Sequence, residues 1–209
     1  MTFLTNNCWS EPVLVHSGKG EGILEDFVVC QESDCFKAYF TSGPEWFNQQ
    51  LWTAIGKGPL GPFEMPRKIQ TGKHIRLEKG VINSDSWYGT AVYRKLPKTG
   101  IWHHKNTHFG TVRSAVILPK DESLYSVSVA NPCLFRNSII FEGRNEQMPP
   151  VWRIFQSDLK GNVCKQPICI GGNPFVTQFE DTIYLYFSKY RPMRGPTRGF
   201  DTWCMTQPA

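Results

Sequence analysis

The feature of this sequence that most constrains its fold is a recurrence of short apolar strands. Runs of apolar, β-branched and aromatic residues are each bounded by Gly, Pro, Asn, Asp or Ser, and they include FVVC, KAYFTS, QLWTAIG, YGTAVYR, SIIFEG, VWRIFQS and IYLYFSK. Runs of this length between turn residues are typical of short β-strands. Helical periodicity is almost absent. The sequence therefore predicts an all-β fold.

Four segments of the chain can be aligned by this pattern. Each has a polar start, a short apolar strand, a turn and a second aromatic-rich strand, as in ILEDFVVCQESDCFKAYFTS and GGNPFVTQFEDTIYLYFSK. A third strand follows, often with Trp, and then a weaker fourth strand with Pro. The equivalent positions are Asp26, Lys79, Asn131 and Asn173, separated by 53, 52 and 42 residues. Four-stranded units of this period indicate the blades of a β-propeller.

The last unit ends on its third strand, and the N-terminal WSEPVLV is expected to supply its fourth and so close the ring. We therefore predict one propeller domain over residues 1–209, with four-stranded blades at about 19–72, 73–123, 124–170, and 171–209 plus 8–16. A five-bladed ring is the alternative, but it needs about 42 residues a blade, and two of the gaps are longer. An irregular β-sandwich is the other alternative. In IYLYFSK both faces of the strand are apolar, as a strand packed between two neighbouring sheets requires.

Composition excludes several classes of protein. The chain has 209 residues, a formal net charge of +5, 40% hydrophobic and 20% charged residues, which is the composition of a globular domain. No apolar run approaches the roughly 18 residues that a membrane helix needs. The start MTFLTNNCWSEP lacks the pattern of a signal peptide. Seven cysteines without an export signal predict reduced thiols, so we expect a cytoplasmic protein with no membrane partner.

One composite pattern resembles a known family. An acid or Asn, an apolar strand, a turn, an aromatic strand, then Trp-x-Ala and a Gly-Pro-Phe loop occur in LEDFVV…KAYFTSG…LWTAIGKGPLGPFE, and the first part occurs again in GGNPFV…DTIYLYFSKY. This resembles the furanosidase-like β-propellers, which include glycoside hydrolase family 43, invertase-like enzymes and the mannoside phosphorylases of family 130. The resemblance implies a carbohydrate-active enzyme that acts on a glycosidic bond. That family is usually five-bladed and longer, so a count of four blades departs from it.

The resemblance also implies where the catalytic carboxylates lie. In such propellers the innermost strands begin at one mouth of the central channel, where this chain has Glu25, Asp26 and Glu78, with Glu142 at the end of a second strand. Glycoside hydrolysis needs one carboxylic acid to protonate the leaving oxygen and one carboxylate to activate water or attack. These four acids are the candidate catalytic residues. Glu25-Asp26 matches either the base or the acid position of the family, and the choice stays open.

The remaining strand starts carry other groups. Asn131, Asn173 and Lys79 are candidate substrate-binding residues. An amide can hydrogen-bond a sugar hydroxyl but cannot act as a base. The two Asn-Pro starts therefore favour the alternative function, a non-catalytic propeller that binds a glycan, a protein or a phosphorylated ligand. Turn formation by Asn-Pro is the structural interpretation of the same residues.

The densest histidine segment is WHHKNTH, at residues 102–108. On a strand, His104 and His108 face the same way, so both are candidates for lining the channel. No Cys pair or carboxylate accompanies them at ligand spacing, and no metal site is predicted. Trp87 is a candidate for stacking on a sugar. The tryptophans that recur on third strands are expected to pack within blades, and they are Trp52, Trp152 and Trp203.

Residues 191–198 contain three arginines, and the guanidinium fork suits phosphate or carboxylate. Arg194 is therefore a candidate for holding a phosphorylated ligand, and Lys79, Arg113 and Arg144 would join it if they faced the same mouth. A net charge of +5 is too small to favour extended contact with nucleic acid. No phosphate-binding glycine loop or dinucleotide fingerprint is present, so no cofactor is predicted.

Overall fold

The computed structural model describes residue 4 and residues 8–17, 23–43, 50–70, 79, 81–83, 86–91, 100–107, 110–119, 128–144, 151–191 and 199–209. Side chains are described for these residues except residues 23–25 and 70, those between 81 and 128, and residues 190, 191 and 199. Every regular element within this part of the chain is a β-strand, which confirms the all-β prediction there. No described segment forms a helix that could cross a membrane.

Sixteen strands are formed within the described ranges. They are β1 (Val13–Ser17), β2 (Ile23–Glu32), β3 (Cys35–Gly43), β4 (Gln50–Gly56), β5 (Glu64–Gln70), β6 (Val81–Asn83), β7 (Ser86–Ala91), β8 (Gly100–Thr107), β9 (Gly110–Pro119), β10 (Ser128–Phe135), β11 (Ser138–Arg144), β12 (Trp152–Asp158), β13 (Cys169–Ile170), β14 (Gly172–Phe179), β15 (Thr182–Arg191) and β16 (Gly199–Pro208).

These strands form four sheets of four strands each: β2-β3-β4-β5, β6-β7-β8-β9, β10-β11-β12-β13 and β14-β15-β16-β1. Neighbours in the first three sheets are consecutive in the chain. In the fourth sheet β1 pairs antiparallel with β16, with Val13 opposite Cys204 and Leu14 opposite Trp203. The N-terminal segment thus supplies the fourth strand of the last sheet, which is the pairing that the sequence predicted. Four blades in one closed ring stay a prediction.

The chain divides into two compact units. Unit 1 comprises Met1–Asn6 and Glu78–Pro174, and unit 2 comprises Asn7–Leu77 and Phe175–Ala209. The core of unit 1 includes the buried side chains of Val129, Ile139, Phe141 and Phe155. The rings of Phe141 and Phe155 are stacked with their centroids 5.8 Å apart. The single-domain prediction stays a prediction.

The core of unit 2 is centred on an aromatic cluster of His16, Phe27, Phe40, Phe63 and Tyr186. The centroid of the Phe27 ring lies 5.6 to 6.0 Å from the centroids of the other four rings, within the range that favours aromatic pairs. Nδ1 of His16 lies 2.8 Å from the main-chain oxygen of Phe63. All five side chains are buried, so this cluster is a packing feature of the unit.

The strand IYLYFSK packs on both faces, as its sequence predicted. Ile183, Leu185 and Phe187 are buried on one side, and Tyr186 is buried on the other beside the half-buried Tyr184. The hydroxyl of Tyr186 donates to the main-chain oxygen of Pro59 at 2.6 Å. The loop between β4 and β5, residues 57–63, which ends in Gly-Pro-Phe, is thereby joined to β15.

Gly61, in this loop, has φ of +68°. A Cβ at this position would lie 2.9 Å from the main-chain oxygen of Val15 and 2.8 Å from the main-chain nitrogen of Phe63. Both contacts are shorter than a carbon atom allows, so the loop requires glycine there. The Phe63 N–H in turn donates to the Val15 oxygen at 2.8 Å and holds the loop against β1.

The third-strand tryptophans share one arrangement in three of the sheets. A cation lies over each ring: Lys68 over Trp52 at 5.4 Å, Arg144 over Trp152 at 5.6 Å, and Lys189 over Trp203 at 5.1 Å from the ring centroid. Each cation comes from a strand next to the third strand. Each of the three rings thus contacts a side chain of its own sheet, as the sequence predicted. None of the seven cysteines, all of which are described, forms a disulfide bond.

Candidate functional site

Three of the four positions that the repeat pattern aligns share one backbone conformation. Asp26, Asn131 and Asn173 have φ of 51°, 50° and 51°, in the left-handed region. Asn and Asp enter this region far more readily than most residues, which explains the residue type at these positions. The pairing register shifts between Glu25 and Val28 on β2 and between Ala130 and Cys133 on β10. Such irregularities redirect a side chain out of the regular alternation.

Asp26 lies in unit 2 and is 2% exposed. Its Oδ2 accepts a hydrogen bond from Oγ1 of Thr41 at 3.5 Å. Thr41 is fully buried on the neighbouring strand β3. Asp26 directly precedes Phe27, the centre of the aromatic cluster, so the left-handed residue leads into the packed core of this unit.

Glu142 and Asn173 meet in unit 1. Glu142 is 2% exposed, and its Oε2 accepts the main-chain N–H of Asn173 at 2.6 Å. A Cβ on Gly172 would lie 2.8 Å from the same Oε2, so the glycine leaves the space that the carboxylate occupies. Glu142 is therefore directed at the start of β14, where it fixes the main chain of Asn173.

The side chain of Asn173 is 8% exposed. Its Oδ1 is buried and has no hydrogen-bond partner within the described part of the chain. A buried carbonyl oxygen ordinarily accepts at least one hydrogen bond, because leaving it unpaired costs about 1–3 kcal/mol. Asn173 thus combines a fixed main chain with an acceptor that no described residue uses.

Trp152 lies beside Gly172 at the start of β14, and Arg144 lies over the Trp152 ring. Arg144 and Trp152 are opposite each other on β11 and β12, and the guanidinium carbon lies 5.6 Å from the centroid of the indole. The same indole would be 3.6 Å from a Cβ on Gly172. Nε of Arg144 is buried and, among the described residues, has no hydrogen-bond partner. A cationic donor therefore lies near the start of β14, two residues after Glu142 on the same strand.

The other two predicted residues of unit 1 that can be described are half-buried. Asn131 is the left-handed residue of β10 and precedes the buried Pro132. The main-chain oxygen of Lys79 accepts the N–H of Leu134 on β10 at 3.0 Å. Lys79 and Asn131 are thus both tied to the first part of β10.

Several predicted site residues lie partly or wholly outside the description. Glu78, His108 and Arg194 are not among the described residues. Glu25, Trp87 and His104 lie on β2, β7 and β8, and only their main chains are described. Trp87 and His104 are paired across β7 and β8. The backbone therefore brings together these two candidates of the second predicted blade.

Sequence analysis did not identify three participants in the unit 1 arrangement as parts of one site. Gly172 was overlooked, Trp152 was assigned only to packing, and Arg144 was considered only for phosphate. The signal for Gly172 is the Gly-Gly pair directly before Asn173, since two glycines at a strand start indicate close approach by another group. Among the described residues no group of three or more His, Cys, Asp or Glu could hold a metal ion.

A group of coupled pKa shifts occurs away from this arrangement, at the β2–β3 hairpin. The ammonium of Lys37 and the hydroxyl of Tyr39 both donate to the Glu32 carboxylate, the second at 2.7 Å. These hydrogen bonds lower the pKa of Glu32 and raise the pKa values of Lys37 and Tyr39. The group is on the solvent side of one hairpin, which indicates a structural ion pair.

Comparison with known proteins gives limited likenesses. No family model and no curated protein matches the chain. The solved structures that are similar to it include two α-L-arabinofuranosidases. The α-L-arabinofuranosidase of Lactobacillus brevis is 12% identical with a TM-score of 0.39, over 88% of this chain and 72% of that one. The α-L-arabinofuranosidase of Clostridium thermocellum is 11% identical with a TM-score of 0.33, over 78% of this chain and 60% of that one. Likenesses with TM-scores this low assign neither a fold nor an activity.

Proposed function

We propose that this chain is a carbohydrate-binding protein whose site in unit 1 holds a sugar through Asn173. The observation that carries the proposal is the Oδ1 atom of Asn173, a buried acceptor without a partner among the described residues. Its main chain is fixed by Glu142 and its φ lies in the left-handed region. A residue held in this way offers its amide in one orientation.

Sugar hydroxyls match the groups that surround this position. Each hydroxyl donates one hydrogen bond, so one hydroxyl of a sugar can donate to Oδ1 of Asn173 and a neighbouring hydroxyl to a carboxylate oxygen of Glu142. Left-handed residues that are not glycine are concentrated at binding and catalytic sites. The sequence pattern that resembles carbohydrate-active propellers supports the same class of ligand.

The proposal includes the propeller architecture. Four sheets of four strands, with β1 completing the last of them, supply the elements of a four-bladed ring. In this architecture Asp26, Lys79, Asn131 and Asn173 are equivalent positions on innermost strands. Asn131 and Lys79 would extend the sugar site, together with Trp87, His104 and His108. Arg194 would serve a phosphorylated ligand.

Hydrolysis of a glycosidic bond is the second candidate function. Asp26 and Glu142 favour it, because both are carboxylates with 2% exposure, the residue type that hydrolysis needs. Two features favour binding without hydrolysis. Amides occupy two of the strand starts, and Oε2 of Glu142 already accepts a main-chain N–H. Glu25 and Glu78 stay candidate catalytic carboxylates beside Asp26 and Glu142.

Thermal-shift titration tests the proposal. The purified protein is titrated with L-arabinose, D-xylose, D-glucose, D-galactose and their oligosaccharides, and a sugar that binds only the folded state raises the Tm by mass action. We expect at least one sugar to raise the Tm of the wild type. Asn173→Gly, which removes the amide and tolerates the left-handed φ, should abolish the rise. Asn137→Ala, at an exposed turn of the same unit, is the matched control and should retain it.

Two results would contradict the proposal: no rise in Tm with any sugar, or an undiminished rise in Asn173→Gly. Turnover separates the two candidate functions. Release of reducing sugar from an oligosaccharide that is lost in Asp26→Asn or Glu142→Gln, with binding retained, would establish hydrolysis. Binding without release would establish the non-catalytic function.

A further inference from the structure

Arg144 is a cationic side chain with a hydrogen-bond donor that a ligand could use. Its described contact is the face of Trp152, at 5.6 Å from the ring centroid. It makes no ion pair with a described residue, and its buried Nε has no hydrogen-bond partner there. A guanidinium group is planar and holds its donors in one plane, with Nε and one terminal nitrogen able to form two parallel hydrogen bonds.

The acid nearest to Arg144 on its own strand is engaged elsewhere. Glu142 and Arg144 are two residues apart on β11, so their side chains leave the same face of the sheet about 7 Å apart. Oε2 of Glu142 accepts the main-chain N–H of Asn173, whereas Arg144 lies on Trp152. The two opposite charges are thus held by different partners, and the guanidinium is not neutralised by this carboxylate.

We infer that the ligand of the unit 1 site is an acidic sugar, a saccharide whose anionic group Arg144 binds. This inference rests on the proposed carbohydrate site. Hydroxyl groups of the sugar pair with Asn173, and the anionic group occupies the Arg144 side of Gly172. The formal net charge of +5 acts in the same direction, because it favours the approach of an anion. The shared chemistry is an oxyanion on the sugar, and carboxylate, sulfate and phosphate ester are its three sources.

The test compares sugars that differ only at carbon 6. D-galactose, D-galacturonate, D-galactose 6-sulfate and D-galactose 6-phosphate form one set, and the corresponding glucose compounds form a second. Dissociation constants are measured by NMR titration of the full chain at low and moderate salt. We expect at least one anionic member to bind about tenfold or more tightly than the neutral sugar, and salt to weaken that preference. The anionic member with the lowest dissociation constant identifies which oxyanion the site takes.

Arg144→Ala should raise the dissociation constant of the anionic member about tenfold and leave that of the neutral sugar unchanged. Arg144→Lys, which keeps the charge but not the fork, should lose part of it. Arg136→Ala is the matched control, since Arg136 also lies over an aromatic ring of unit 1, that of Phe135 at 5.1 Å, at an exposed turn. It should bind all members as the wild type does. Thermal melting of each variant establishes that it folds.

The possible outcomes distinguish failure of the acidic-sugar inference from failure of the proposed carbohydrate site. The inference of an acidic sugar would be overturned if neutral and anionic sugars bound equally, or if the preference for the anionic sugar persisted in Arg144→Ala. The proposed carbohydrate site would be unaffected by either result. No binding of any member would overturn the acidic sugar, and the absence of any rise in Tm across the sugar panel as well would overturn the carbohydrate site. Anionic binding that is retained in Asn173→Gly but lost in Arg144→Ala would show an anion site that is not a sugar site.

Discussion

Asp26, the fourth residue of β2, and Asn173, the second residue of β14, share the same left-handed conformation, yet they lie in very different surroundings. In unit 2, Asp26 leads into Phe27 and the aromatic cluster, and its carboxylate accepts from Thr41. In unit 1, the main-chain N–H of Asn173 donates to the buried carboxylate of Glu142, and the neighbouring Gly172 lies next to Trp152, the ring that Arg144 covers. The same backbone conformation thus precedes a packed aromatic core in one place and a group of buried polar atoms in the other.

The difference is one of chemistry rather than of backbone. Around Phe27 the neighbouring groups are rings, which need no hydrogen bonds on their faces. Around Asn173 they are polar, and Oδ1 of Asn173 and Nε of Arg144 have no hydrogen-bond partner among the described residues. Buried polar groups without partners lower stability, and functional sites are where proteins retain them. The difference supports the proposed ligand site at Asn173, and Asp26 stays a candidate for the second function, hydrolysis.

The largest predicted effect is at the aromatic cluster. Phe27→Ala should lower the free energy of unfolding by about 3–5 kcal/mol, because it removes a fully buried ring that contacts four others. Phe27→Leu, which keeps most of the apolar volume, should cost less. Urea denaturation measures both. A loss below about 1 kcal/mol for Phe27→Ala would contradict the packing role.

A smaller effect is predicted at Glu142. Glu142→Ala removes the acceptor of the Asn173 N–H and should lower the free energy of unfolding by about 1–3 kcal/mol. Glu142→Gln keeps an acceptor oxygen and should cost less. Amide exchange at Asn173, followed by NMR, should accelerate in the alanine variant. Unchanged exchange would show that Glu142 does not fix this main chain.

Tyr186→Phe removes the hydroxyl that donates to the Pro59 carbonyl in unit 2. Burial raises the pKa of Tyr186 far above its usual range, so the hydroxyl remains a donor at all ordinary pH values. The variant should lose about 1 kcal/mol, because the carbonyl is left without this partner. Equal stability of the variant and the wild type in urea would show that water replaces the hydroxyl without penalty.

The smallest predicted effect is a pH dependence at Asp158 in unit 1. Its Oδ1 accepts the N–H groups of Lys160 and Asn162, its Oδ2 accepts the amide of Asn162, and these bonds lower the pKa of Asp158. A lowered pKa in the folded state adds stability above the ordinary value of about 3.9 and loses it as pH falls through the folded value. In denaturation curves measured between neutral and acid pH, the free energy of unfolding of Asp158→Asn should therefore fall less on acidification than that of the wild type. An unchanged pH profile would contradict the contribution.

Sequence patterning predicted the strands because each is a short apolar run between turn residues, as IYLYFSK shows. It also aligned Asp26, Asn131 and Asn173, which share one φ, since Asx residues before an apolar strand are visible in the letters. It did not predict that Glu142 would accept the N–H of Asn173, 31 residues away. That contact depends on how β11 and the start of β14 approach each other. The stacking of Arg144 on Trp152 likewise depends on the register of β11 and β12.

We propose Asn173 as the ligand acceptor of a carbohydrate site in unit 1. Calorimetric titration of the wild type and Asn173→Gly with D-galacturonate and D-galactose tests this role, after both proteins are shown to melt cooperatively. We expect binding by the wild type, tighter for the acidic sugar, and loss of binding of both sugars in the variant. Equal binding by the two proteins, or no heat of binding in the wild type, would contradict it.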